Sequence, residues 1–295
     1  MTVAADVAEV SFWGTRGSVS TPGRRTEKYG GNTPCITVGY QDTMLIVDGG
    51  TGLRILGNHI LSHGPRYKNL HLLLTHTHWD HIQGLPFFVP AYLKGTVFTI
   101  YGSPHKGGFL ESILRGQMDY DYFPVDMGSL GAEMNIVEME QKQLQFGPIL
   151  VSWEEQKYHP GGSLRFRFDF DGKRVVVASD VELNKFIGTD YPSDEERSDQ
   201  QAYMQFINKA DLLIADGQYT EEEYPAKVNW GHTSVELLLE TAYRAGVKKL
   251  SVFHHDPEHS DEKLDHIWQQ YAPGYEQASP PMQVFWAREG MSVPV

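Results

Sequence analysis

Leu72-Leu73-Leu74-Thr75-His76-Thr77-His78-Trp79-Asp80-His81 is an apolar strand-like run that breaks into three imidazoles and a carboxylate within six residues. Imidazole and carboxylate together suit divalent transition metals. A lone histidine is usually a hydrogen-bonded core residue, the reading given to His59, His63, His71 and His266. Four ligand types in one short segment reverse that reading. In an extended or turning segment His76 and His78 project on the same side, and Asp80 and His81 come round as the chain turns toward Gly84-Leu85-Pro86. One short loop could then serve two ions.

A two-metal site needs further ligands, and polar residues at strand ends are where to look. His159 stands in the Gly-rich turn Tyr158-His159-Pro160-Gly161-Gly162 after a strand. Asp180 terminates Arg174 to Ser179, where its two oxygens could bridge two ions. His254 follows Leu250-Ser251-Val252-Phe253, with His255 beside it as the competing ligand.

Around these positions short β-branched or aromatic runs alternate with turns. Val10 to Trp13, Cys35 to Tyr40, Met44 to Val47, Leu70 to Thr75, Val97 to Tyr101, Leu164 to Phe170, Arg174 to Ala178, Asp211 to Ala215 and Lys249 to Phe253 read as strands. One helix is predicted from Ser234, with Val235, Leu238, Leu239 and Ala242 on one face, a capping-box-like Thr233 to Glu236 run and Gly246 to close it. A second follows Ser260, with Leu264, Ile267, Trp268 and Tyr271 on one face. Thr189 to Gln201, rich in Asp and Glu, reads as a solvated surface insertion or a disordered stretch. No repeat, heptad or Gly/Ser linker divides the chain, so residues 1–295 are expected to form a single α/β domain.

Composition narrows the function. The 295 residues carry 25 Lys+Arg against 38 Asp+Glu, a net charge of −13. A long nucleic acid is held by many Lys/Arg contacts to phosphate, so such a partner is disfavoured. With Cys35 alone there is no internal disulfide and no thiolate-rich zinc site. Met1 to Val10 lacks signal-peptide character and no run has membrane-spanning length, which points to a cytoplasmic protein with no membrane partner.

The run of His76, His78, Asp80 and His81, followed in order by His159, Asp180 and His254, resembles the five-motif signature of the metallo-β-lactamase fold over nearly the whole chain. The resemblance implies a four-layered αβ/βα sandwich with metals at the sheet edges. It implies one ion on His76, His78 and His159, another on Asp80, His81 and His254, and Asp180 bridging. Zinc leads the metals this donor set would take, with manganese, iron and nickel also accommodated.

Because that scaffold serves β-lactamases, thioesterases, nucleases and oxygen reductases, fold alone does not give function. Gly231-His232-Thr233-Ser234, and the strand Asp211 to Ala215 ending at Asp216, resemble the phosphodiesterase branch, which includes tRNA 3′-end endonucleases and cyclic-nucleotide phosphodiesterases. The resemblance makes His232 the proton donor and Asp216 its orienting acid, in a position where the tRNA endonucleases usually carry glutamate. The reaction it implies is hydroxide attack on a phosphodiester, with Asp80 in the reacting centre, two metals stabilising charge, and His232 protonating the departing oxygen.

The Gly- and Lys-rich arm usual in the tRNA endonucleases has no equivalent here, so a small phosphodiester, foremost a cyclic nucleotide, is the expected substrate. Arg16, within Gly14 to Ser18, is a candidate substrate contact or equally a structural hydrogen-bonding residue; Trp230, with Lys227, is a candidate substrate contact, and the aromatic segment Arg115 to Pro124 could stack on a base or pack on the core or a dimer partner. A homodimer is expected from the resemblance. Competing readings are an RNA-processing endonuclease of the same branch, a thioester or lactone hydrolase, and a non-catalytic metal-binding interaction protein.

Overall fold

Hydrogen-bonded pairing divides the strands between two seven-stranded sheets. The computed structural model describes residues 7–62, 68–103 and 110–295, so His63 lies outside the described residues. By its contacts the chain divides into two units. The first holds Met1–Pro22, Gly30–Lys142 and Arg288–Pro294, and the second holds Gly23–Tyr29 and Gln143–Ala287.

In the first unit β1 (Glu9–Gly14), β2 (Cys35–Tyr40) and β3 (Thr43–Val47) pair antiparallel. From β3 onward the sheet turns parallel through β4 (Asn69–Leu73), β5 (Val97–Gly102) and β6 (Glu133–Glu138). Parallel neighbours need a crossover, and α1 (Gly52–Ser62) supplies it between β3 and β4. Leu53, Leu56 and Ile60 recur at helical spacing, so they share a face and are buried in one cluster with Ile46, Leu72 and Phe98. Two shorter helices, α2 (Trp79–Ile82) and α3 (Leu110–Gly116), complete this unit.

The second unit opens as an antiparallel meander of β7 (Gln143–Phe146), β8 (Ile149–Gln156), β9 (Ser163–Phe170) and β10 (Lys173–Ala178). It continues in parallel through β11 (Leu212–Asp216), β12 (Lys249–Phe253) and β13 (Gln283–Trp286). The three crossovers are α4 (Asp194–Ile207), α5 (Val235–Arg244) and α6 (Asp261–Glu276). Tyr203 and Phe206, Leu238 and Leu239, and Leu264 and Ile267 seat these helices in one core with Val176, Leu213 and Val252. A last strand, β14 (Ser292–Pro294), pairs with β1 in the first unit.

The acidic stretch Thr189 to Gln201 is not a disordered insertion. It contains the start of α4, where Ser193 Oγ accepts from the Glu196 amide at 3.2 Å and the Glu196 carboxylate accepts from the Ser193 amide at 2.6 Å. Asp194, Glu195 and Glu196 fall in the first turn, where negative charge favours a helix N-terminus. The capping box read at Thr233 to Glu236 is absent: the Thr233 hydroxyl is engaged by the Val181 carbonyl and the Leu183 amide, and Ser234, which precedes α5, makes no side-chain cap bond. Among the described residues, no helix is long and apolar enough to cross a membrane.

Parallel strands bring their carboxyl ends to one edge of a sheet. Asp48 follows β3 and Thr75 to His81 follow β4; in the second unit Asp180 follows β10, Asp216 ends β11 and His254 follows β12. Replacing Ser193 with alanine should lower the unfolding free energy by about 1 kcal/mol. The readout is a lower urea midpoint at unchanged slope; an unmoved midpoint would mean that the cap does not hold α4.

Candidate metal centre

Three of the residues that end the parallel strands, Asp48, Asp180 and His254, have left-handed backbones with φ near 60°. Outside glycine this conformation is uncommon and mildly strained, and it concentrates at functional sites. It stops each strand and turns its side chain off the sheet edge.

In the first unit Asp48 is buried and collects three donors. It accepts from the Thr75 amide at 2.8 Å, from the Thr75 hydroxyl at 3.0 Å, and from His81 Nδ1 at 2.9 Å. That last bond places the His81 proton on Nδ1 and leaves the lone pair on Nε2, the arrangement a metal-ligating imidazole requires. The His76 ring centre lies 4.2 Å from that of His81 and 4.4 Å from that of His78. Asp80 Oδ2 is 3.3 Å from His81 Nε2 and accepts from the Ser18 amide at 2.8 Å.

The Gly-rich opening therefore does reach this cluster, through the Ser18 backbone. Arg16, for which the sequence left open a substrate contact or a structural hydrogen-bonding role, is completely buried, with Nε and Nη2 both donating to the Gly30 carbonyl at 3.1 and 3.0 Å. Its guanidinium braces a loop. Burial, and after it the Asp48 charge, push the Cys35 thiol well above its ordinary range, so it stays protonated.

In the second unit the donors converge again. His159 Nδ1 donates to the Gly231 carbonyl at 3.1 Å, which leaves its lone pair on Nε2. Asp180 Oδ1 lies 3.3 Å from His254 Nε2 and 3.9 Å from His232 Nδ1. The His232 ring stacks on that of His254 at 5.0 Å, and its Nδ1 is 2.8 Å from Asp216 Oδ2. Donor atoms of His159, Asp180 and His232 lie within 4.8 Å of one another, as do those of Asp216, His232 and His254. His255 turns away, with Nε2 donating to the Ala287 carbonyl at 2.8 Å.

Burial, followed by the nearby Asp180 charge, pushes the Asp216 carboxyl well above its usual range. Asp216 Oδ2 faces His232 Nδ1 at a buried contact, and His232 Nε2 is the opposite end of that ring. Both sets of donors fit divalent cations by chemistry: imidazoles with an assigned lone pair, and carboxylates withdrawn from water that need a compensating charge.

The remaining expectations fall on the surface. Trp230 is 57% exposed, and the Lys227 ammonium sits 4.2 Å over its ring and 5.3 Å from the Tyr219 ring. In the aromatic segment, Tyr120 and Tyr122 are exposed, whereas Phe123 packs on the core and meets the Phe87 ring edge-on at 5.4 Å. Asp48 and Thr75 were missed in the sequence. Asp48 carries the same signal as Asp180, an acid closing an apolar strand, but stands alone before Gly49-Gly50 rather than inside a histidine cluster.

Residues 44–255 match the family described as the β-lactamase superfamily domain. Ribonuclease Z of Thermococcus sibiricus is 26% identical over 294 residues, 86% of this chain and 88% of that protein. Ribonuclease Z of Exiguobacterium sibiricum is 25% identical over 219 residues, 65% of this chain and 73% of that protein. The crystal structure of the metallo-β-lactamase fold protein YhfI from Bacillus subtilis superposes with a TM-score of 0.68, at 18% identity, covering 98% of this chain and all of YhfI. The fold expected from the histidine motif is therefore the fold observed.

Asp48→Asn should weaken zinc binding on the order of 10- to 100-fold with the fold retained, as loss of a bond that orients a ligating histidine does. Competition with a chromogenic chelator reads this out. Parent affinity would show that the Asp48 to His81 bond does not orient the ligand.

Proposed function

Since the chain belongs to the β-lactamase superfamily domain family, we propose that it is a metal-dependent phosphodiesterase whose foremost substrate is a small phosphodiester, in particular a cyclic nucleotide. The observation that carries this reading is the buried Asp216 to His232 bond at 2.8 Å, set beside the donors His159, Asp180 and His254. A ligand set alone serves many hydrolases. A second, acid-oriented histidine next to it is what expulsion of a poor leaving group requires.

We further propose that the two units act as one catalytic domain. His76, His78 and His159 would hold one cation, Asp80, His81 and His254 the other, with Asp180 shared. Two bound divalent ions would supply Lewis-acid activation of water and of the phosphoryl oxygen. The chain's own groups do the rest. Asp48 and the Gly231 carbonyl fix the lone pairs of His81 and His159. Asp216 holds His232 by Nδ1, so the proton delivered to the departing alkoxide comes from Nε2.

The relatives' name, Ribonuclease Z, favours a second reading, an RNA-processing endonuclease, and runs against the expectation that a long nucleic acid is excluded. The net charge of −13 supports the smaller substrate. Ionic strength separates them. Binding to a polynucleotide weakens steeply with salt in proportion to the number of phosphates contacted, whereas a cyclic mononucleotide has a single phosphate.

The test is turnover of metal-loaded protein on cyclic mononucleotides, cyclic dinucleotides, short RNA and a thioester, with products identified by mass. His76→Ala should lose both metal and turnover. His232→Ala should keep its metal and lose about 10²- to 10⁴-fold on a diester with an alkoxide leaving group. Parent-rate hydrolysis by His232→Ala, or turnover of the thioester alone, would overturn the reading.

A further inference from the structure

Two residues past Asp180, Glu182 is a buried carboxylate that belongs to neither proposed ligand set. Its Oε1 accepts from the Tyr224 hydroxyl at 2.5 Å and from the Asn229 amide at 2.9 Å, and its Oε2 accepts from the Gly231 amide at 3.1 Å. The nearest cation is the Lys185 ammonium at 3.9 Å. Burying an anion is costly unless its lone pairs are satisfied, and here loop donors do most of that work. All three donors lie in the loop from Tyr224 to Gly231, which delivers His232.

The neighbours of Glu182 grip the same loop. The Thr233 hydroxyl donates to the Val181 carbonyl at 2.5 Å and accepts from the Leu183 amide at 3.1 Å. Asn184 accepts from the Ser234 amide at 3.0 Å and donates to the Ser234 hydroxyl at 2.9 Å. The segment after Asp180 thus fixes the register of the segment around His232, residue by residue.

Gly231 is where this matters for chemistry. Its amide is on Glu182 and its carbonyl accepts the Nδ1 proton of His159. Its φ is +86°, and a Cβ there would lie 2.4 Å from His159 Nδ1 and 2.5 Å from Pro160 Cδ, so glycine is required. The next side chain is His232, bonded to Asp216. We propose that Glu182 is a positioning residue. By anchoring the Gly231 peptide it sets the tautomer of His159 and the aim of His232 at once, tying metal affinity to proton delivery. This rests on His159 as ligand and His232 as proton donor.

The experiment compares Glu182→Gln, His232→Ala and the double variant on two diesters, one with an alkoxide and one with a p-nitrophenoxide leaving group. The aryl group departs without needing a proton. Glu182→Gln should lose about 10- to 100-fold on the alkoxide substrate and much less on the aryl one, and should bind zinc about ten-fold more weakly. At saturating zinc, where the weaker metal binding no longer limits the rate, it should change the alkoxide rate in the His232→Ala background by less than about three-fold, because the remaining effect acts through His232. Equal losses on both substrates and in both backgrounds, or parent behaviour, would overturn the proposal while leaving His232 in place.

If His232→Ala itself shows no preference between leaving groups, the proton-donor reading fails and takes this proposal with it. Should Glu182→Gln not fold, Tyr224→Phe, which removes one donor, is expected to shift the alkoxide-to-aryl ratio in the same direction by about five-fold. An unchanged ratio there is equally decisive against it.

Discussion

A carboxylate or imidazole withdrawn from water must find partners, and in this chain that requirement is met at the carboxyl ends of parallel strands. Asp48, Asp180, Asp216 and His254 are all buried where a strand stops. Each is held by neighbours that the crossover topology brings to the same edge. Asp48 gathers Thr75 and His81 from the end of β4, Asp180 meets His254 from the end of β12, and Asp216 holds His232 ahead of α5. Divalent cations are the natural complement to such an accumulation of acids and lone pairs, because they repay the desolvation that hydrogen bonds alone repay in part.

The second unit carries more of the chemical specificity than the first. Histidine clusters suit many hydrolases, but a proton donor with its own buried acid suits the departure of an alkoxide. His232, the proposed donor, sits on a loop with little regular structure, between the short turn at Tyr224–Ala226 and the N-terminus of α5. Its precision comes from the Val181 to Asn184 segment, which binds it through side chains and backbone together. Lys227 stacked on Trp230 lies on the exposed side of the same loop.

Much of this was legible in the sequence, because strand-end ligands announce themselves as polar residues closing apolar runs. The nine strands read from periodicity correspond to β1 to β5, β9, β10, β11 and β12 within a residue or two at most ends, and both predicted helices are α5 and α6. What stayed hidden has physical causes. The strands β6 and β7 mix polar and apolar residues because they are mostly exposed or partly buried, and β8 buries only one of its two faces. The acidic start of α4 looked like a solvated insertion because the charges that favour a helix N-terminus also favour solution. Arg16 read equally as a phosphate contact or a structural residue, since the burial of a guanidinium leaves no trace in composition. Glu182 gave no signal at all, because its partners, two backbone amides and the Tyr224 hydroxyl, lie more than forty residues away.

The central claim is that water attacks phosphorus, activated by the divalent ions that the histidine and aspartate donors would hold, and that the chain's own histidine would release the alcohol. Hydrolysis of bis-p-nitrophenyl phosphate by the zinc-loaded protein in water enriched in heavy oxygen tests the first half most directly, with both products analysed by mass. The account predicts one labelled oxygen on p-nitrophenyl phosphate and none on p-nitrophenol. Label on the phenol, or no turnover by protein that has bound its metal, would contradict it.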